Sequence, residues 1–564
     1  MQRKILGIGL DGATYDLLIP WFNEGKLPNL YRLYSNGAKG ALESSIPYMS
    51  PTAWTSFMTG KNPGKHGIYD FVQHKDNSYE IFFCNAATRK AKSLWKILSE
   101  NDKWVGVINV PMTYPPEEVK GFLISGMEAP GVQSQFTHPA TLYKELKDAT
   151  GEYNLHGDYY TRFGPEVYLK NVFETIESQC RAAKYLLKNH PWDFFFFVFG
   201  STDRIQHFFW KYIDPKHPGY KKEDAEKYGD YILKVYEAVD REIGEFLSII
   251  PQNTLIFVMS DHGAGGYHKI IHLDRWLFKE GYLKYQHQKR NISKEVFKKV
   301  YVQTRKYFPR FLKDALKSYF PEFRTKIESN LILSNIDWQK TKVFSLGIEA
   351  THVFINEEGR FPMGIVKSGR EYEELREEVI RKLYELKDPS TGEKVVANIY
   401  KREELFKGEH FHKAADLLVL WKDDAYITRR SYGGDSAFSG SDIFDDNLKY
   451  GEIGELMSLE QTGTHRINGM FILYGDIFEK KEIHNARIID LAPTILHMLG
   501  LPIPSDIDGK VLTEAYKGDF LQKNLIKRKA KSVKDVSGQY GQNVFSPEEE
   551  SMVKERLKRL GYIE

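Results

Sequence analysis

Four short clusters in the 564-residue chain carry the residue types that hold divalent metal ions: Asp11, Asp203-Arg-Ile-Gln-His207, Ser260-Asp261-His262-Gly263 and Thr464-His465-Arg466. Mixed carboxylate and imidazole sets suit hard and borderline ions such as Zn²⁺ and Mn²⁺. Asp203 and His207 stand four residues apart, so a single helical turn presents both on one face. One ion can take Asp203, His207 and His465; a second can take Asp11, Asp261 and His262, with the hydroxyl of Ser50 between them. Two ions about 4 Å apart clamp the attacking and leaving oxygens of an in-line displacement, and they make a serine hydroxyl acidic enough to attack. Each cluster alone has an ordinary explanation: a surface helix pair, a polar turn after a strand, a helix cap, a histidine bonded to backbone. Their combination is what argues for chemistry.

Ser50 precedes Pro51 and a run from Thr52 to Met58 that reads as one or two helical turns. A serine just before a proline at the first helical position has the sequence chemistry of an N-cap. Ser50 is therefore expected to cap this helix, which also places its hydroxyl at the positive end of the helix dipole, where an anion is favoured.

The elements that must position these residues alternate. Short apolar runs at 5–10, 104–109, 193–199 and 254–259 read as buried strands, and all but the second run straight into one of the Asp-containing clusters. Helical patterns at 27–35, 93–100, 164–189 and 224–249 lie between them. That is the signature of an α/β fold with a central, mostly parallel sheet flanked by helices, in which ligands bind beyond the carboxyl ends of the strands. The division expected is a first core part (1–285), a basic and aromatic helical insertion able to act as a lid (286–336), a second core part (337–520) and a charged tail (521–564). In the tail, Ser546, Pro547 and Glu549 spell a capping box at the start of a late helix.

With 79 Lys plus Arg against 76 Asp plus Glu, the net charge is +3, which gives no case for a nucleic-acid partner. The two cysteines, Cys84 and Cys180, make no disulfide framework and no CxxC motif, so a cytoplasmic setting is expected. The most apolar run, 194–199, falls far below the roughly 18 residues that span a bilayer, so no membrane span is expected.

In their order along the chain (Asp, Ser/Thr turn, D-x₃-H, SDHG, late His), these motifs resemble the alkaline phosphatase superfamily, most closely its type I phosphodiesterase and nucleotide pyrophosphatase branch. SPTAWTSFMTGKNPGKHGIYDF, NEEGRFPMGIV, THRINGMFI and IIDLAPTILHMLGLPIPSDIDGKVL are similar to that branch's phosphohydrolase/phosphomutase group. The resemblance implies an alkaline-phosphatase-like α/β fold and a hydrolase acting on a small phosphorylated substrate. It places the nucleophile on Ser50, with Thr52 as rival, and implies a phosphoserine intermediate. It also implies two divalent ions, Zn²⁺ first and Mn²⁺ second, on Asp11, Asp261 and His262 and on Asp203, His207 and His465. His268 and Lys269, just beyond SDHG, are near enough in sequence to reach a phosphate or leaving group. Two other outcomes stay open: a phosphomutase using the same phosphoserine, and a non-catalytic phosphate-binding protein. The sulfatase pattern Cys/Ser-x-Pro-x-Arg is not met, since Ser50 is followed by Pro-Thr-Ala-Trp.

Overall fold

The computed structural model describes residues 3–155, 164–286, 336–346, 351–428, 443–445, 461–530 and 544–559. Nearly all of the 286–336 insertion lies outside these residues; its two ends meet in an antiparallel bridge between Tyr285 and Ile336.

Nine strands form the central sheet: β1 (Ile5–Leu10), β2 (Ala38–Glu43), β3 (Val105–Val110), β4 (Gly121–Ser125), β5 (Thr137–His138), β6 (Phe194–Phe199), β7 (Leu255–Met259), β8 (Asn468–Tyr474) and β9 (Ala486–Arg487). Their order is β9-β2-β8-β7-β1-β6-β3-β4-β5. The middle of the sheet is parallel: β1 pairs with β6 on one side and β7 on the other, and β3 pairs with β4 and β6. The late strand β8 runs antiparallel between β2 and β7. Both faces are covered, as a continuous run such as Phe194–Phe199 requires. Phe195, Phe197 and Phe199 enter one core, while Phe194, Phe196 and Val198 enter the other. Glycine in β1 answers the crowding of these rings: a Cβ on Gly7 would stand 2.2 Å from Phe257 Cζ.

Helices α1 (Ser50–Thr59), α2 (Pro165–Asn189), α3 (Ser201–Phe209) and α4 (Tyr231–Ile249) pack on this sheet. The helical pattern expected over 224–249 is two helices, Lys222–Tyr228 and α4, interrupted at Gly229-Asp230. The C-terminal helix α5 (Pro547–Arg559) begins with the capping box: Ser546 N–H donates to Glu549 Oε2 (2.8 Å) and Glu549 N–H donates to Ser546 Oγ (3.2 Å). A separate antiparallel sheet joins Val343–Leu346, His352–Ile355, Leu417–Trp421 and Val396–Lys401. Among the described residues no helix is long and apolar enough to cross a membrane.

Candidate metal centre and nucleophile

All four clusters converge at the carboxyl ends of the central strands. Asp11 follows β1, and Asp203 and His207 lie in α3, which follows β6 directly. Asp261 and His262 follow β7, and His465 lies on Gly463–Arg466, a short strand paired antiparallel with Gly263–Gly266. Ser50 opens α1. These seven residues are each at most 3 % exposed.

Two overlapping groups of ligand atoms form. Asp203, His207 and His465 make one, and Asp11, Asp203 and His262 the other, each with its ligand atoms within 4.8 Å of one another. Asp203 thus stands in both groups. Asp261 packs beside the second: its Oδ2 lies 3.2 Å from His262 Nε2, and its Oδ1 accepts from Gly12 N–H at 3.3 Å. Gly12 adopts φ +68, and a Cβ there would stand 2.8 Å from Asp203 Oδ1, so only glycine lets β1 turn this close to the carboxylate.

Backbone carbonyls orient the imidazoles. His262 Nδ1 lies 3.0 Å from Gly263 O, and His207 Nδ1 lies 3.0 Å from Gly463 O. Donation from each Nδ1–H to its carbonyl leaves Nε2 as the lone-pair nitrogen facing the cluster, the tautomer a metal ligand needs. His207 Nε2 then meets His465 Nε2 at 3.1 Å and Asp203 Oδ2 at 3.1 Å. Electron-rich atoms this close require a proton or a cation between them.

The electrostatics say the same. Burial, together with Asp261 and Asp203, pushes the Asp11 carboxyl well above the usual range. Burial and Asp203 push Asp261 up to about 8. For Asp203 burial acts in the same direction, but the imidazoles of His207, His465 and His262 outweigh it and hold the group well below the usual range. Burial and the neighbouring His262 push His465 well down. Asp11 Oδ1 and Asp261 Oδ2 are buried with no hydrogen-bond partner. An uncompensated buried carboxylate costs several kcal/mol, and divalent cations reverse that cost. The residues present therefore fit metal ions.

Ser50 Oγ lies 3.3 Å from His262 Nε2. The expected cap is not formed: Met49 is the N-cap, Ser50 is already helical, and no side chain caps the end. Because Pro51 follows as the second helical residue, the chain enters the helix one residue early, and the Ser50 hydroxyl turns to the cluster instead of to its own backbone. The rival Thr52 is buried with its hydroxyl unpartnered. His268 and Lys269 turn elsewhere: His268 Nε2 lies 3.7 Å from Asp214 Oδ2, and Lys269 Nζ bonds Asp388 Oδ1 at 2.8 Å.

Several supporting residues escape a motif reading. Thr202 Oγ1 donates to Asp11 O (2.6 Å), Gln206 Nε2 donates to Gly12 O (3.0 Å), and Trp54 Nε1 donates to Asp11 Oδ2 (3.1 Å). The Gln461 amide lies 3.0 Å from His207 Nδ1. Only Gln206 carried a hint, since it sits inside D-x₃-H.

In comparison with solved structures, phosphonoacetate hydrolase from Sinorhizobium meliloti 1021, in complex with phosphonoacetate, is similar at TM-score 0.50 and 14 % identity over 87 % of this chain and 94 % of that one. The same enzyme with phosphonoformate gives the same values. Murine ectonucleotide pyrophosphatase / phosphodiesterase 5 aligns at TM-score 0.47 and 13 % identity over 88 % of this chain and 95 % of that one. No curated protein matches the chain. The family described as type I phosphodiesterase / nucleotide pyrophosphatase matches residues 5–445. Over that length the chain is a member of the type I phosphodiesterase / nucleotide pyrophosphatase family, a group of phosphoester hydrolases within the alkaline phosphatase superfamily.

Proposed function

We propose that the chain is a metal-dependent phosphohydrolase that cleaves a small phosphodiester, pyrophosphate or phosphomonoester through a phosphoserine on Ser50. The observation that carries this reading is the Ser50 hydroxyl 3.3 Å from His262 Nε2, at the edge of the six-residue ligand cluster. Asp203, His207 and His465 would hold one ion, and Asp11, Asp261 and His262 the other, with Asp203 placed to reach both; Zn²⁺ suits the set first and Mn²⁺ second. When bound, the ions supply the positive charge that makes the serine hydroxyl acidic and offsets the charge of the phosphate oxygens.

The chain's own residues do the rest. The first turn of α1 aims Ser50 Oγ at phosphorus, and as the Ser Oγ–P bond forms, the bond from phosphorus to the leaving oxygen breaks. Backbone N–H groups of that turn, which have no carbonyl partner inside the helix, suit the non-bridging phosphate oxygens. Thr202 and Gln206 hold the Asp11 turn in place through its carbonyls. Water then attacks the phosphoserine from the opposite side, restoring the Ser50 hydroxyl and releasing the phosphate product. The two cysteines are buried free thiols, which supports a reducing cytoplasm as the setting.

Elemental analysis combined with a panel of aryl phosphate mono- and diesters tests the reading. Two ions per chain are expected, on the two-ion logic above. Ser50→Ala should keep them and lose turnover by about 10³-fold or more. Wild-type rates in Ser50→Ala with loss in Thr52→Ala would move the nucleophile to Thr52. Phosphate retained on an isomeric product would make the enzyme a mutase.

A further inference from the structure

Far from the ligand cluster, the chain from Lys523 to Ala530 reads Lys-Asn-Leu-Ile-Lys-Arg-Lys-Ala. Leu525 is 75 % exposed and Ile526 40 %, and no other large apolar side chain among the described residues is as open as Leu525. A single exposed leucine needs no explanation, but two adjacent aliphatic side chains in water do. Neighbours in an extended chain point to opposite sides, so one of a pair ordinarily finds cover. Here both stay open to water, so the corner projects from the surface. Its two ends are pinned. His497 Nε2 lies 2.8 Å from Asn524 O, and Asn524 N–H donates to Phe520 O at 2.9 Å. On the far side Ile503 N–H donates to Lys527 O at 2.8 Å and Ser505 N–H to Lys529 O at 2.9 Å. These bonds flank a short parallel ladder of Ile503–Pro504 with Arg528–Lys529. The backbone therefore holds the apolar tip out.

Basic side chains surround it. Lys523, Lys527, Arg528 and Lys529 are all exposed. Lys523 shares its charge with Asp519 at 3.5 Å, while Lys527, Arg528 and Lys529 form no ion pair with another described residue. The nearby aromatic ring, Phe520, is buried, with the Arg3 guanidinium 4.7 Å from its centre. A second copy of the chain is a poor occupant, since a two-fold contact would set the three cations against their own copies. A single-stranded nucleic acid would meet the cations but find no aromatic face on which to stack its bases. An anionic bilayer satisfies both halves of the patch. Aliphatic side chains enter the boundary between headgroups and acyl chains, and lysine and arginine stay level with the acidic headgroups.

The position suits such a role. Arg3, beside Phe520, precedes β1, and Asp11 follows it. The six residues of β1, at about 3.3 Å each, put about 20 Å between that end of the sheet and the ligand cluster.

We propose that the Leu525–Ile526 corner, with Lys527, Arg528 and Lys529, docks the protein on an anionic lipid surface, with the carboxyl ends of the central strands turned away from the bilayer. The docking is independent of the reaction at Ser50 and is measured without turnover.

The full-length, metal-loaded chain is sedimented with vesicles of phosphatidylglycerol and phosphatidylcholine in equal parts, and with vesicles of phosphatidylcholine alone. Pelleting with the first and not with the second is expected. Salt at about 1 M, where the screening length falls to about 3 Å, should release the protein. Each basic residue beside such a surface strengthens binding about fivefold, so Lys527→Gln, Arg528→Gln and Lys529→Gln together should weaken it about 100-fold. Leu525→Asp and Ile526→Asp should each weaken it about tenfold or more. All five side chains are exposed, and circular dichroism with metal content checks that each variant folds. A label reports the contact directly. Both native cysteines are buried, so an environment-sensitive fluorophore on Leu525→Cys reads that position, and its emission should move to the blue on the mixed vesicles. Binding to neither kind of vesicle, equal binding to both, or pelleting without a blue shift overturns the proposal. So does a wild-type dimer that Leu525→Asp splits, which would make the corner a contact between copies. Retention of single-stranded RNA without vesicle binding, lost in the triple variant, overturns it in favour of nucleic acid.

Discussion

Among the described residues, two sites that bring histidine and aspartate together invite comparison, and one of them has the makings of a metal centre. The first is the constellation at the carboxyl ends of β1, β6 and β7, where three carboxylates and three imidazoles crowd together. The second lies where the strand Val72–His74 meets His352–Ile355. There His352 Nδ1 stands 3.9 Å from Asp70 Oδ2, and the His74 ring is edged by Phe354 at 5.1 Å, Phe361 at 5.6 Å and Phe344 at 5.8 Å. His352 and Asp70 of the second are buried and His74 half-buried, and both clusters contain aspartate and histidine. The difference is charge density. At the first, Asp11 and Asp261 have oxygens without partners, and burial together with neighbouring carboxylates raises the cost of ionising both, a conflict that protons or cations relieve. At the second, a single carboxylate already accepts from Phe71 N–H at 2.6 Å, and burial pushes His352 down to about 4, so its imidazole stays neutral among apolar rings. Buried histidine marks a metal site when carboxylates outnumber the charges available to neutralise them, and otherwise marks a core.

The sharpest way to break this contrast is substitution on each side of it. His207→Ala should strip metal and lower turnover by about 10³-fold or more, as loss of a ligand does. His352→Leu should leave metal content and turnover as they are; metal lost from His352→Leu would dissolve the distinction. The next effect is in stability against pH. An unfolded imidazole titrates near 6.5 and the folded His352 near 4, so the unfolded state binds more protons between these values. Stability is full above about pH 6.5 and falls as pH drops to about 4, by on the order of 3 kcal/mol from this residue. Denaturant titrations of wild type and His352→Leu across that window should differ by this slope; parallel curves would show that the folded imidazole titrates as the unfolded one does.

Smaller is the effect of the groups that orient the ligands. Gln461→Ala, which removes the amide that donates to Gly463 O (3.4 Å), the carbonyl that orients His207, should weaken metal binding by roughly 10- to 100-fold without removing a ligand. Competition with a chelator measures it, and unchanged affinity would show that Gly463 O orients His207 without help from Gln461. Smallest is a reference outside both clusters. Ser546→Ala opens the capping box of α5 and should cost about 1 kcal/mol, read as faster hydrogen exchange in that helix with metal content unchanged. That helix is anchored by Arg556, which donates to the carbonyls of Met127, Ala129 and Pro130.

What the chain's own order determined was local. Apolar runs ending in Asp11 and Asp261, the D-x₃-H turn and the Ser546–Glu549 box are readable because strand, helical turn and cap each depend on residues a few positions apart. The α/β architecture and the ligand types followed from these. Tertiary structure decided the rest, because it depends on which strands lie side by side. Strand β8 inserts antiparallel beside β7 and carries the chain that delivers His465 to His207, 258 residues earlier. That contact makes Asp203 common to both ligand groups, a sharing no spacing encodes. Ser50 was expected as a cap because serine before proline caps locally; the pull of His262 and the early start of α1 are long-range facts. The same holds for Asn109, whose positive φ is met by a hydrogen bond from Tyr153, 44 residues later. Sequence names the groups that can do chemistry, and packing decides which of them share a charge.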